Sequence, residues 1–389
     1  MRIRAAVAVT AVLALAACSG TGDDPAATSS TTTPTTQAPT TPAPTTPPTP
    51  TPTPTTTYPG VDWDRDERGD WSALDDGLAA DGSTCVAVIK DGRLVHDAYW
   101  NGGAADRQQR VFSIAKSLSS VLIGTFTGEG GLDLGASASE QIEEWRGTDA
   151  DGITVRDLLA MTSGRQWSEA IDRQLIVGSP DQTSFALGLQ QEREPGEKWV
   201  YDNAAVQTLE SVLDDLGRSD DVVDLAEQRL LGPLGMTETT WGRDAVGNAL
   251  TYSGMTSTCL DLARIGHLML TKGAWDGQQV VPADYVEQAT TPSSELNAAY
   301  GLLWWTNAEG RIVEVLRQAG FTTDKAPYQG RLAPNVPPDA YWAFGYGNQY
   351  VAVVPSEGVV AVRLGARPAS PDRVTFDEFT ADVLAVVSR

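Results

Sequence analysis

The sequence predicts an α+β fold: one antiparallel sheet assembled from both termini of the folded chain, with flanking helices and a largely helical subdomain. Three observations carry this. The β-rich runs "TCVAVIK" and "RLVHDAYW" meet at Asp91-Gly92, a strong two-residue hairpin signal. Two further apolar runs, "QYVAVVP" and "GVVAVRLG", lie close together near the C-terminus. Between the two pairs, apolar residues recur at the three- and four-residue spacing of amphipathic helices. Short turns joining consecutive strands make such a sheet antiparallel.

Taken in order, the chain opens with Arg2 and Arg4 before an apolar run from Ala5 to Cys18. That run is short of the ~20 residues needed to span a bilayer and suits a signal peptide over 1–18. Leu15-Ala16-Ala17-Cys18 resembles a bacterial lipobox, so Cys18 is expected to be lipidated and to anchor an extracytoplasmic protein to the cell membrane. The alternative is ordinary cleavage after an Ala-x-Ala site. Residues 19–60 are mostly Thr, Pro, Ala and Ser without Lys or Arg, too poor in apolar groups to offset ordering entropy. In an extended polyproline form this tether would reach on the order of 120 Å. The folded domain is expected over 61–389.

Within it, "SIAKSLSSVLIGTF" reads as a helix stopped by Gly128, Gly130 and Gly131. Thr154 and Asp157 form a capping-box pattern opening "TVRDLLAMTSG", with Gly164 as its expected end. "AAVQTLESVLDDLG", "DVVDLAEQRLLG", "STCLDLARIGHLML" and the closing "DEFTADVLAVVS" are further helices. Thr306 to Pro338, rich in Gly, Pro and Arg, reads as a long surface excursion.

The bulk charge excludes some functions. With 28 basic and 51 acidic residues, a net charge of −23, the chain would be repelled by nucleic acid and by anionic membrane surfaces. Membrane contact is therefore expected only through the lipid anchor, and the domain is expected to be monomeric. His96 and His267 are the only histidines, each read as an ordinary packed residue; without a Cys/His cluster, a transition-metal site has little support. No phosphate-binding glycine loop stands between strand and helix, so no cofactor is implied. A G-x-S-x-G nucleophile elbow is also missing. Lipidation of Cys18 leaves Cys85 and Cys259, an even pair expected to form a disulfide in an oxidising compartment; two buried thiols are the alternative.

The chemistry points to "RVFSIAKSLSSVLIG". Ser113 and Lys116, three residues apart on a helix, share a face, so the amine can reach the hydroxyl. The partial positive charge of the helix N-terminus and the apolar surroundings both disfavour an ammonium there, which makes Lys116 a candidate general base. In "PGEKWVYDNAAVQTL", Tyr201-x-Asn203 just before a helix offers a phenol for proton relay and an amide for hydrogen bonding. Tyr346-x-Asn348 repeats the pattern, so the triplet alone does not choose between them. Trp167, Trp304 and Trp305 are either acyl-site lining or plain core.

In order and spacing, "FSIAKS", "ITVRDLLAMTSG", "PGEKWVYDN", "LLGPLGM", "TSTCLDLARIG", "YGLLWW" and "FGYGNQYVAVVP" resemble the serine hydrolases of the class C β-lactamase and penicillin-binding type. The resemblance covers roughly residues 70–389 and is nearest to the branch of 6-aminohexanoate-oligomer hydrolases and carboxylesterases. It implies the β-lactamase/transpeptidase-like fold, with Ser113 as acylated nucleophile, Lys116 as its base, Tyr201 as second acid/base group and Asn203 as supporting amide. One departure stands out: the third motif of β-lactamases and transpeptidases carries a Lys or His before x-Gly, whereas this chain reads Ala343-Phe344-Gly345-Tyr346. Its glycines still permit close backbone approach, so the N–H of Tyr346 is expected to join that of Ser113 as an oxyanion hole. Without the cation, a small ester or amide is the expected substrate. A β-lactamase or D,D-peptidase, and a non-catalytic envelope lipoprotein that kept the fold, are the rivals.

Overall fold

A computed structural model of the chain describes residues 57–60, 62–128, 130–218, 221–314, 326–366 and 374–388. The expected signal peptide, Cys18 and most of the tether lie outside the described residues. Four residues assigned to the tether, 57–60, instead pack on the folded domain. The Thr57 carbonyl accepts from His267 Nε2 at 2.9 Å, and the Tyr58 ring lies edge-on to His267 and Trp275. The folded part therefore begins earlier than Val61.

Its centre is a six-stranded sheet of β1 (Ser83–Lys90), β2 (Arg93–Tyr99), β3 (Trp305–Thr306), β4 (Tyr341–Gly345), β5 (Gln349–Val354) and β6 (Val359–Gly365). The spatial order is β2-β1-β6-β5-β4-β3, with every neighbouring pair antiparallel. N- and C-terminal strands meet at the β1–β6 pair, where Val88 faces Ala361. This is the α+β arrangement expected, and it follows from strands buried almost throughout their length.

Helices cover the sheet. They include α1 (Ser72–Ala80), α2 (Ile114–Gly124), α3 (Val155–Leu159), α4 (Glu169–Arg173), α5 (Asn203–Gln207), α6 (Cys259–Leu270) and α7 (Phe376–Val387). Apolar spacing does not announce α1, which buries only Leu78. At Gly266, α6 comes so close to the sheet that an added Cβ would stand 2.3 Å from Val360 Cγ1. The sulfurs of Cys85 on β1 and Cys259 at the head of α6 are 2.03 Å apart, bonded across a sequence separation of 174.

Three sequence expectations need correction. The Thr154–Asp157 capping box forms, but α3 ends at Leu159, well before Gly164, because Met161 takes a left-handed φ of 62°. The helix expected over "AAVQTLESVLDDLG" is interrupted at Thr208, whose hydroxyl donates to the Ala205 carbonyl at 2.7 Å. The expected surface excursion over Thr306 to Pro338 holds only in part: residues 315–325 lie outside the described residues and 326–329 are exposed, but the two ends are anchored. Thr306 and Asn307 are buried, and Asn307 Nδ2 donates to the carbonyls of Ala333, Val336 and Pro337, binding the two ends of the segment together.

Candidate active site

The short strand Gln109–Arg110 pairs with Met255–Ser257 and leads into Phe112, held at a φ of 50°. That left-handed turn, uncommon for a bulky residue, delivers Ser113 as the N-cap of α2. The Ser113 side chain does not cap its own helix. Its hydroxyl thus faces Lys116 and Tyr201.

Every residue of α2 is buried, so Lys116 on its inner face is 1% exposed. Its Nζ lies 3.1 Å from Ser113 Oγ, 2.6 Å from Asn203 Oδ1 and 2.9 Å from the Tyr252 carbonyl. The rings of Tyr201 and Tyr252 stand 4.9 Å and 5.4 Å from the nitrogen. Burial brings the amine down to about 7, with the charges of Asp172 and Asp202 opposing the shift. That value suits a group that must exchange protons near neutral pH.

Tyr201 reaches the site from the turn before α5. The N–H of Val200 donates to the Met161 carbonyl at 2.9 Å, and Asp202 caps α5 through the N–H groups of Ala204 and Ala205. The Tyr201 ring is stacked on Trp305 and edge-on to Tyr300. Burial raises its phenol strongly, while a hydrogen bond with Ser113 draws it back part of the way. The phenol therefore stays protonated around neutral pH. Trp305 belongs to this aromatic wall, whereas Trp304 is wholly buried.

The second Tyr-x-Asn lies elsewhere. Tyr346 is 48% exposed, its ring edge-on to Phe112, and Asn348 Nδ2 donates to the Val374 carbonyl. The backbone here does adjoin the head of α2: at Gly345 an added Cβ would stand 2.3 Å from the Val111 carbonyl. Only glycine permits that approach. Buried Arg363 on β6 donates to the carbonyls of Gly347 and Asn348, fixing the turn that carries Tyr346. The first turn of α2 uses the N–H groups of Ile114, Ala115 and Lys116 on carbonyls 111 to 113, a set that leaves out the N–H of Ser113.

The two histidines sit apart from this group. His96 Nε2 is 2.8 Å from Asp75 and its ring stacks on Trp71, while His267, lowered to about 4 by burial, faces Thr57.

Three participants had no signature in the sequence. Tyr252 contributes through its main chain, which no residue type announces. Asp172 and Arg363 lie in ordinary helix and strand patterns, with nothing in their spacing to mark them.

Residues 72–385 match the sequence model of the family described as Beta-lactamase. The 6-aminohexanoate-dimer hydrolase of Paenarthrobacter ureafaciens is 23% identical over 259 residues, 58% of this chain and 64% of that protein. The match thus spans less than two thirds of that relative's length. A solved structure from Bacillus anthracis, provisionally named a 6-aminohexanoate-dimer hydrolase, aligns with a TM-score of 0.66 at 18% identity. It covers 85% of this chain and 88% of its own. A class C beta-lactamase variant aligns with a TM-score of 0.55 at 18% identity, over 80% of this chain and 94% of its own. With its sheet built from both termini and its buried Ser–Lys helix, the chain belongs to the beta-lactamase family of serine hydrolases.

Proposed function

We propose that this protein hydrolyses a small ester or amide through an acyl-enzyme on Ser113. The observation that carries the reading is the 3.1 Å approach of Lys116 Nζ to Ser113 Oγ, with burial holding the amine near neutrality. A neutral amine has two N–H groups and one lone pair. The Asn203 Oδ1 and Tyr252 carbonyl oxygens only accept and so take both N–H groups. The lone pair is left for the Ser113 O–H.

In the proposed reaction Ser113 Oγ attacks the substrate carbonyl carbon and its proton passes to Lys116. The carbonyl oxygen becomes an oxyanion, held by the N–H groups of Ser113 and Tyr346. Collapse expels the alcohol or amine, which takes a proton from the Tyr201 phenol; the phenol is then reprotonated from Lys116. Water attacks the acyl-enzyme with the same groups in reverse, releasing the acid and restoring Ser113. An amide or ester preference is supported by the missing third-motif cation, since β-lactams and D-Ala-D-Ala ends both present a carboxylate.

The test is a panel of p-nitrophenyl esters of graded chain length, short amides and nitrocefin, run beside fluorophosphonate labelling. Ester or amide turnover with labelling at Ser113 is the expected result. Turnover of nitrocefin alone would favour a β-lactamase, and a protein that neither labels nor turns over any substrate would not be an enzyme of this kind.

A further inference from the structure

Asp172 belongs to none of the motifs above, yet its carboxylate on α4 is 2% exposed. Oδ2 accepts from Asn203 Nδ2 at 3.1 Å. Oδ1 and the neighbouring Trp167 indole N–H are both buried and interact with each other without reaching full hydrogen-bond geometry. A carboxyl buried with so few partners costs stability, which makes its place beside Asn203 call for a reason.

We propose that Asp172 is a positioning residue: by accepting from Asn203 Nδ2 it obliges Asn203 Oδ1 to face Lys116, which turns the lysine lone pair toward Ser113. The inference rests on Lys116 serving as the base. The two ends of an amide are nearly the same shape, and only their partners decide which way it lies. A carboxylate can only accept, so Nδ2 must point at Asp172 and Oδ1 at Lys116. Were the amide reversed, its N–H would claim the lone pair and the Ser113 proton would have no acceptor.

Asp172 also acts by charge. Burial lifts its carboxyl to about 6, opposed first by Lys116 and then by the Trp167 and Asn203 side chains. In return its charge raises Lys116. Ser113, Asn203 and the Tyr201 and Tyr252 rings also face this pair; Asp202 adds a further charge, itself balanced in part by Arg165.

Two isosteric variants test the inference, read by the pH profile of kcat/KM on one ester. Asp172→Asn removes the charge and frees the amide to turn. The acid limb should move to lower pH and kcat should fall about tenfold with KM little changed. The exchange of Asp172→Asn with Asn203→Asp restores an obligatory acceptor facing Lys116 and puts the carboxylate directly on the amine. Its acid limb should lie above that of the parent enzyme. Opposite shifts support the inference; limbs that stay in place or move together overturn it. Should Asp172→Asn fail to fold, the direction of the exchange variant's limb decides by the same criterion. Lys116→Met separates this inference from the reading beneath it. Fluorophosphonate labelling that survives Lys116→Met defeats both, whereas lost labelling with an unmoved Asp172→Asn limb defeats only the role of Asp172.

Discussion

Lys116 Nζ and Asn203 Oδ1 lie 2.6 Å apart although 87 residues separate them in sequence. The contact joins the helix that follows the first sheet hairpin to a helix of the inserted subdomain, so the proposed reaction centre exists only when both are packed. It also takes one of the amine's hydrogens, which in the proposed mechanism leaves Ser113 as the partner for its lone pair.

Ser113→Ala should abolish fluorophosphonate labelling and ester turnover, leaving at most the residual rate of an oxyanion site without a nucleophile. Lys116→Ala should be nearly as damaging, because a serine hydroxyl with no adjacent base is a poor nucleophile at neutral pH. Lys116→Arg should fare no better, since a guanidinium stays protonated. Labelling rates under pseudo-first-order conditions compare all three, and full labelling of Lys116→Arg would contradict a basic role.

Lys116 also gives a pH dependence with a definite sign. Its folded value is lowered to about 7 from 10.5, so activity should rise with pH through about 7 as the ammonium loses its proton. Between about 7 and 10.5 the unfolded chain holds a proton on this lysine that the folded chain does not. The lysine's contribution to stability therefore increases with pH across that window. Asp172 and Asp202, raised to about 6 and about 7, contribute the opposite slope, losing stability as pH climbs from 3.8 to those values. Urea unfolding at pH 7.5, 8.5 and 9.5 should show the upward slope in the parent protein and a flatter one in Lys116→Met.

The two tyrosines of the repeated triplet should behave differently. Tyr201→Phe keeps a buried, stacked ring and removes the phenolic proton, so kcat should drop on the order of 10²-fold with the fold unchanged. Tyr346 has an exposed ring and offers only its main chain, so Tyr346→Phe should be mild. Loss of activity in Tyr346→Phe with Tyr201→Phe spared would reverse the assignment of the phenol.

Patterns that depend on residue type at fixed spacing were legible in the sequence. The Asp91-Gly92 hairpin, the capping box at Thr154 and the Ser113–Lys116 pair are local, and each follows from turn or helix geometry. What the sequence withheld is tertiary. Asp172 meets Asn203 because α4 packs beside α5, and the Tyr252 carbonyl has no side-chain signature. The early end of α3 came from a left-handed Met161, a conformation for which a sequence reader expects glycine.

The membrane anchor is a separate proposal that rests on the lipobox pattern alone. Cys18→Ala should move the protein from the membrane fraction to the soluble one while leaving turnover per molecule unchanged. Retention of Cys18→Ala in washed membranes would defeat the lipoprotein reading.

The Cys85–Cys259 bridge joins the first strand to the head of the helix that covers the sheet. With 174 residues separating its ends, closure of so long a loop removes much unfolded-state freedom, and native bridges of this kind contribute about 2–5 kcal/mol. The change Cys85→Ser with Cys259→Ser should therefore lower stability within that range, while activity at room temperature persists, since neither sulfur touches the Lys116 group. The bond itself is checked by counting thiols in denatured, unreduced Cys18→Ala protein, where only these two cysteines remain. No free thiol is expected before reduction and two afterwards. Two free thiols before reduction would mean that the folded domain carries a pair of buried cysteines, and the stability cost of the double change would then be that of lost packing alone.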